Sequence, residues 1–261
     1  MQFWNRWKAA CIAAIAVLGA VGPVQARADV TYSDGTFNDS AWTLVSTGVG
    51  NGGNPGVATA GQIASGGNTG SYRRVTLNIN AAIPGSYSTV VGISLATGAV
   101  YTPATQGGIG SLDFSEDARV SPSALGATAA GYVARQAGNY YFTPYFLVTS
   151  SAWTHDTMHI AAADFGLFTS SPNIVNPDFS QHPDFTTAGA PLQFGFVRVN
   201  SNDFNGGSYQ NSSDTDNWSV TVNTAQTPEP GALALLAGAS STGLALFLRR
   251  RHRLVKVLYH G

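Results

Sequence analysis

Between Asp29 and about Ala225 the apolar positions follow no sustained helical repeat. Val75-Thr76-Leu77-Asn78-Ile79-Asn80 alternates apolar and polar residues, the two-residue period of a strand with one wet face. Short runs rich in β-branched and aromatic residues give the other candidate strands: Trp42–Ser46, Tyr72–Asn80, Ser88–Leu95, Gly110–Phe114, Gly131–Arg135, Tyr140–Thr149, Phe194–Asn200 and Trp218–Asn223. Turn clusters such as Asn51-Gly52-Gly53-Asn54-Pro55-Gly56 and Asn205-Gly206-Gly207 separate them. The alanines of Ala161–Phe165 mark the one short helix expected. So many strands with so little helix predict an all-β, two-sheet sandwich or barrel, and no fixed-period repeat points to a propeller.

The two ends follow a different pattern. Residues 1–28 read as a signal peptide: Arg6 and Lys8 precede the apolar run Ala9–Val21, and Ala26-Arg27-Ala28 offers small-x-small cleavage. That run has 13 residues, short of a membrane span. Cys11 follows Lys8 by three positions where a lipobox needs a branched apolar residue, so it leaves with the leader and the mature chain has no thiol. At the other end, Thr227-Pro228-Glu229-Pro230 is followed by 18 residues without formal charge, Gly231–Leu248, and then by Arg249, Arg250, Arg251 and Arg253. As a helix that stretch would rise ~27 Å, close to the hydrocarbon thickness of a bilayer. The arginines would stay cytoplasmic by the positive-inside bias.

Charge supports this division. The segment from Asp29 to Glu229 holds all 14 acidic residues and only five arginines, 73, 74, 119, 135 and 198, a net of −9 in a chain that sums to −1. Nucleic acid is a poor partner for such a surface; neutral glycans and divalent cations suit it better.

The ordered tail of Pro228, Glu229, Pro230, apolar helix and Arg249-Arg250-Arg251 resembles the PEP-CTERM sorting domain. That resemblance implies recognition by an exosortase in the membrane and delivery to the cell surface or extracellular matrix. It covers Thr227–Arg253, and residues 254–261 extend past where such tails usually stop. Across the body of the chain, Gly35-Thr36-Phe37 with Trp42, Ser65-Gly66-Gly67-Asn68, Leu112-Asp113-Phe114-Ser115-Glu116-Asp117, Leu192–Phe196 and Asp216-Asn217-Trp218 look like the concanavalin A-like, jelly-roll sandwiches found in exported proteins of that kind. In such a fold the first and last strands pair, which would bring Trp42 near Trp218. The expected organisation is thus a signal peptide (1–28), a β-sandwich (29–226), a sorting tail with one transmembrane helix (227–253) and a cytoplasmic extension (254–261).

Candidate chemistry is sparse. Gly48-x-Gly50-x-x-Gly53 matches a dinucleotide fingerprint, yet Asn54-Pro55-Gly56 cannot open the helix that must follow. His155 and His159 have the spacing of a zinc protease, with Asp156 where the general base should be glutamate, so a wet loop or strand end is expected there. Laminarinase-type glycosidases carry Glu-x-Asp-x-x-Glu on one strand. Here Ser111 replaces the nucleophile, while Asp113 and Glu116 match, so these carboxylates with Asp117 are expected at a solvated strand end. Asp34, Asp39, Asp214 and Asp216 flank the first and last strands; they suit either calcium or ordinary turns. Tyr140, Tyr141 and Tyr145 are open to two readings, stacking on sugars or filling the sheet. The resulting expectation is a non-catalytic surface protein associated with exopolysaccharide, a glycan hydrolase being the alternative.

Overall fold

The computed structural model describes residues 28–225, apart from 51–52, 123, 125, 170–175 and 203–206. All but the last residue of the expected leader and the whole tail, with Pro228, Glu229, Pro230, Arg249, Arg250 and Arg251, lie outside the described residues. Residues Arg27–Ala225 form a compact unit with its own core. Among the described residues no helix is long and apolar enough to cross a membrane.

The strands are β1 (Val30–Asp34), β2 (Trp42–Gly50), β3 (Gly56–Gly67), β4 (Gly70–Ile79), β5 (Ser88–Tyr101), β6 (Ile109–Val120), β7 (Thr128–Gln136), β8 (Asn139–Phe142), β9 (Phe146–Val148), β10 (Thr154–Ile160), β11 (Gly166–Phe168), β12 (Pro177–Asp178), β13 (Leu192–Asn202) and β14 (Tyr209–Thr224). One sheet runs β10-β6-β14-β4-β3 with β1 also on β14; the other runs β12-β11-β8-β7-β13-β5-β2 with β9 on β7. The result is an all-β sandwich of two sheets. Each expected strand is found, though Tyr140–Thr149 is broken into β8 and β9 around Pro144, which has no N–H for a ladder. The helix expected at Ala161–Phe165 is a single 3-10 turn, Ala162–Asp164. Asp164 accepts the Ala161 amide at 2.7 Å, and the chain then enters β11.

Val75, Leu77 and Ile79 point inward with Leu112, Phe114, Val220 and Val222 from the same sheet, against Tyr101, Tyr132, Phe194 and Phe196 from the other. In β5 and β13 the simple alternation disappears because both faces are apolar. Val91, Ile93 and Leu95 join Val197, Val199, Val133 and Phe142 in a second buried cluster on the far side of their sheet.

β14 pairs with β1, which is not among the expected strands, Val30 opposite Val222 and Asp34 opposite Trp218; the first expected strand, β2, pairs instead with β5 in the other sheet. Trp42 lies in the other sheet and meets Trp218 across the interior, edge to face at 5.2 Å. Both indoles are core residues. Asp34 ties the intervening turn together. Its Oδ1 accepts the Thr36 and Phe37 amides and the Thr36 hydroxyl, and its Oδ2 accepts Trp42 Nε1 at 2.7 Å.

Candidate functional site

The outward positions of β10, β6, β14 and β1 form a grid of short polar side chains. One rung reads Thr157, Ser115, Ser219, Ser33, and the next reads His159, Asp113, Thr221, Thr31. Cross-strand hydrogen bonds fix it: Ser115 to Ser219 and Thr31 to Thr221, both at 2.9 Å. Asp113 receives His159 Nδ1 at 2.5 Å on one oxygen and Asn223 Nδ2 at 2.6 Å on the other. Asp117 repeats the pattern four residues on, with His155 Nδ1 at 2.7 Å and the amides of Asn217 and Asn68 at 2.6 and 2.8 Å.

These contacts set the ionisation of the two carboxyls. The Asn223 and His159 hydrogen bonds hold Asp113 below the usual carboxylate range. For Asp117, burial pushes upward, but the donors of Asn217, Asn68 and His155 outweigh it and the carboxyl again lies low. Both carboxylates are therefore acceptors only, so each imidazole donates from Nδ1 and presents Nε2 to solvent.

Beside this grid stands an aromatic and guanidinium stack. Trp153, just before β10, lies over the Arg119 guanidinium at 4.3 Å and meets Tyr72 edge-on at 5.5 Å. Arg119 and Arg74 both lie over Tyr72, at 5.2 and 5.6 Å. Asp214, fully buried, is clamped between them, by Arg74 Nε and Nη2 at 2.7 and 3.1 Å and Arg119 Nε at 2.9 Å. The register opposes Asp214 to Arg74 on β4 and to Arg119 on β6, so one buried carboxylate orients two partly exposed cations. The remaining N–H groups of Arg119 are fixed next to the indole.

Several expected sites take different forms. Of the aspartates considered for calcium, Asp34 closes a turn, Asp214 neutralises two arginines, and Asp216, also buried, accepts the Thr69 amide at 3.1 Å. Asp39 pairs with Arg73 at 3.2 Å. Among the described residues no group of three or more ligating side chains is assembled.

Glu116 is not at a solvated strand end. It lies mid-strand and points into the core, where Oε1 meets Arg198 Nη2 at 2.8 Å with neither side chain exposed. Asp113 is three positions away and therefore on the opposite face of β6, so the two carboxyls cannot flank one glycosidic bond. Asp117, likewise expected in solvent, is buried under Asn68 and Asn217. His155 and His159 do stand in a strand, exposed at 61 % and 70 % of their side chains. Tyr141 packs into the core, while Tyr140 and Tyr145 lie against the outer apolar cluster of the other sheet. Sequence reasoning passed over Trp153, Tyr72, Arg74 and Arg119 as a group; the consecutive Arg73-Arg74 pair, forced by alternation to opposite faces, was the available signal.

No family model matches this chain, and no curated protein matches it in sequence. Among solved structures, it is similar to the family 11 carbohydrate-binding module from Clostridium thermocellum in complex with a β-1,3-1,4-mixed-linked tetrasaccharide. That similarity covers 78% of this chain and 100% of the module, at 12% identity and a TM-score of 0.39. A xylan-binding domain from Paenibacillus barcinonensis is similar over 78% of this chain and 99% of its own, at 10% identity and a TM-score of 0.39. A mannan-recognising carbohydrate-binding module is similar over 78% and 100%, at 10% identity and a TM-score of 0.32.

Proposed function

We propose that this chain is an exported, non-catalytic surface protein of the PEP-CTERM type whose jelly-roll sandwich associates with extracellular polysaccharide. In this reading Pro228-Glu229-Pro230 and Arg249-Arg250-Arg251 present the chain to an exosortase, and Gly231–Leu248 holds it in the membrane until it is passed to the cell surface. The polysaccharide lies on the outer face of the β10-β6-β14-β4 sheet.

The observation that carries the glycan reading is the placement of Trp153 and the fixed Arg119 guanidinium beside the Asp113, Asp117, Asn217 and Asn223 grid. A sugar ring offers an apolar face to an aromatic side chain and paired hydroxyls to planar amides, carboxylates and guanidinium groups. Here both kinds of partner share one sheet face. Glycan recognition also suits a domain with a net charge of −9 and no lysine between Asp29 and Glu229.

Affinity electrophoresis of residues 27–225 through gels containing soluble mixed-linked glucan, xylan, mannan or the producing cell's own exopolysaccharide tests this. Retardation by one of them, relieved in Trp153→Ala, is expected. Unretarded migration through all four overturns the glycan reading. Intact-mass measurement of the full chain expressed with and without an exosortase tests the tail: a mass loss C-terminal to the PEP sequence only with the enzyme is expected, and equal masses overturn the sorting reading.

A further inference from the structure

His155 and His159 lie on β10, which among the described residues pairs on one side only, with β6. Each imidazole is locked through Nδ1 to an ionised aspartate, at 2.7 Å to Asp117 and 2.5 Å to Asp113, and is largely exposed. A carboxylate on one ring nitrogen is the arrangement that orients a metal-binding histidine and raises the basicity of the other nitrogen. Nδ1 being engaged, Nε2 is the nitrogen left for a metal on each ring, and among the described residues no group of three or more metal-ligating side chains is assembled within one copy. The two residues stand i and i+4 on a strand, ~13 Å apart, too far to share an ion.

A second copy removes that limit. If two β10 strands pair antiparallel with Thr157 opposite Thr157, the register sets His155 of each copy directly opposite His159 of the other. Directly opposed residues project to the same face with Cβ atoms ~5 Å apart, within reach of one ion between two imidazoles. The symmetry of the sequence about Thr157, with histidine at both flanking outward positions, makes two such sites in one pairing. The outward positions of this strand, His155, Thr157 and His159, are all exposed.

We propose that this chain binds zinc or a similar borderline divalent transition metal between two copies, His155 of one and His159 of the other ligating each ion, with β10 adding to β10 to continue the sheet. Asp113 and Asp117 are positioning residues that hold the rings. The function is metal-dependent association of surface-displayed copies through the free edge of the sheet whose outer face carries the proposed glycan site; it does not rest on the glycan reading.

Sedimentation velocity of residues 27–225 with zinc chloride tests this, with amide exchange as a second readout. Expected are a monomer in chelator, a dimer with about one zinc per chain at micromolar zinc, and new protection of β10 amides in the dimer. His155→Ala and His159→Ala should each abolish the dimer without changing the melting temperature in chelator. Asp113→Asn should weaken zinc binding roughly tenfold or more. A monomer at all zinc concentrations, a dimer that survives the double histidine variant, or a dimer whose β10 amides stay unprotected would each overturn the proposal.

Discussion

Arg198 Nη2 and Glu116 Oε1 lie 2.8 Å apart in the interior, with no solvent exposure on either side chain. Nη2 also donates to Thr215 at 2.5 Å, while Glu116 Oε2 and Arg198 Nε have no hydrogen-bond partner among the described residues. Burial drives the Glu116 carboxyl upward, and the Arg198 charge and hydrogen bond oppose it without restoring the ordinary value. The pair is therefore a costly way to fill a core, and its value depends on both partners being present.

Removing one partner should be far worse than removing both. Glu116→Ala or Arg198→Met alone should cost ~3–5 kcal/mol, because each strands a buried charge or its donors. Glu116→Leu combined with Arg198→Met should recover most of that loss. Urea unfolding of the four proteins measures the cycle, and additive losses would contradict this account.

Asp34 should make stability depend on acid. Burial raises its carboxyl, but the Trp42 indole N–H and the Phe37 and Thr36 donors outweigh burial and bring it below the ordinary range. A depressed folded value means its contribution is present above the unfolded pKa, ~3.9, and is lost as pH falls through the folded one. Asp34→Asn should therefore destabilise by ~1–3 kcal/mol at pH 7, with the gap from wild type closing below about pH 4. Thermal unfolding across that range, followed by tryptophan fluorescence, checks it; a gap constant with pH would refute it.

Much of this was open to inference from the chain. The alternation of Val75, Leu77 and Ile79 marked β4 and its inward face. Trp42 does meet Trp218, but across the interior from the other sheet and not by pairing of their strands, because β2 pairs with β5. The facing of Glu116 was not readable, because a shift of one residue in register exchanges core for solvent along the whole strand. A carboxylate is the residue type least expected inside, and only its partner Arg198, 82 residues away, makes it tolerable. Trp153 sits outside any regular element, so its place over Arg119 depends on where β10 joins β6. That information lies in the pairing and not in local periodicity.

Gly195 should resist any side chain. It stands at a register shift between β13 and β5, where a Cβ would collide with the Ser94 carbonyl oxygen. Gly195→Ala should cost ~3 kcal/mol, measured by urea denaturation, and near-neutral behaviour would mean the bulge can relax.

Trp153→Ala should weaken polysaccharide retention about fivefold, equivalent to ~1 kcal/mol, while Tyr141→Phe leaves it unchanged because Tyr141 packs inside. Equal effects of the two would place binding elsewhere.

The pairing of β1 with β14 sets Val30 against Val222, almost the full length of the described chain apart. Loop closure on that scale cannot begin until both partners exist, so an emerging chain carries β1 as an unmatched strand until its last residues are available. The sandwich is complete only when the final strand arrives. A nascent chain is thereby kept from closing early, and loss of residues 218–222 should leave the first strand, with the turn that Asp34 organises, without a place to dock.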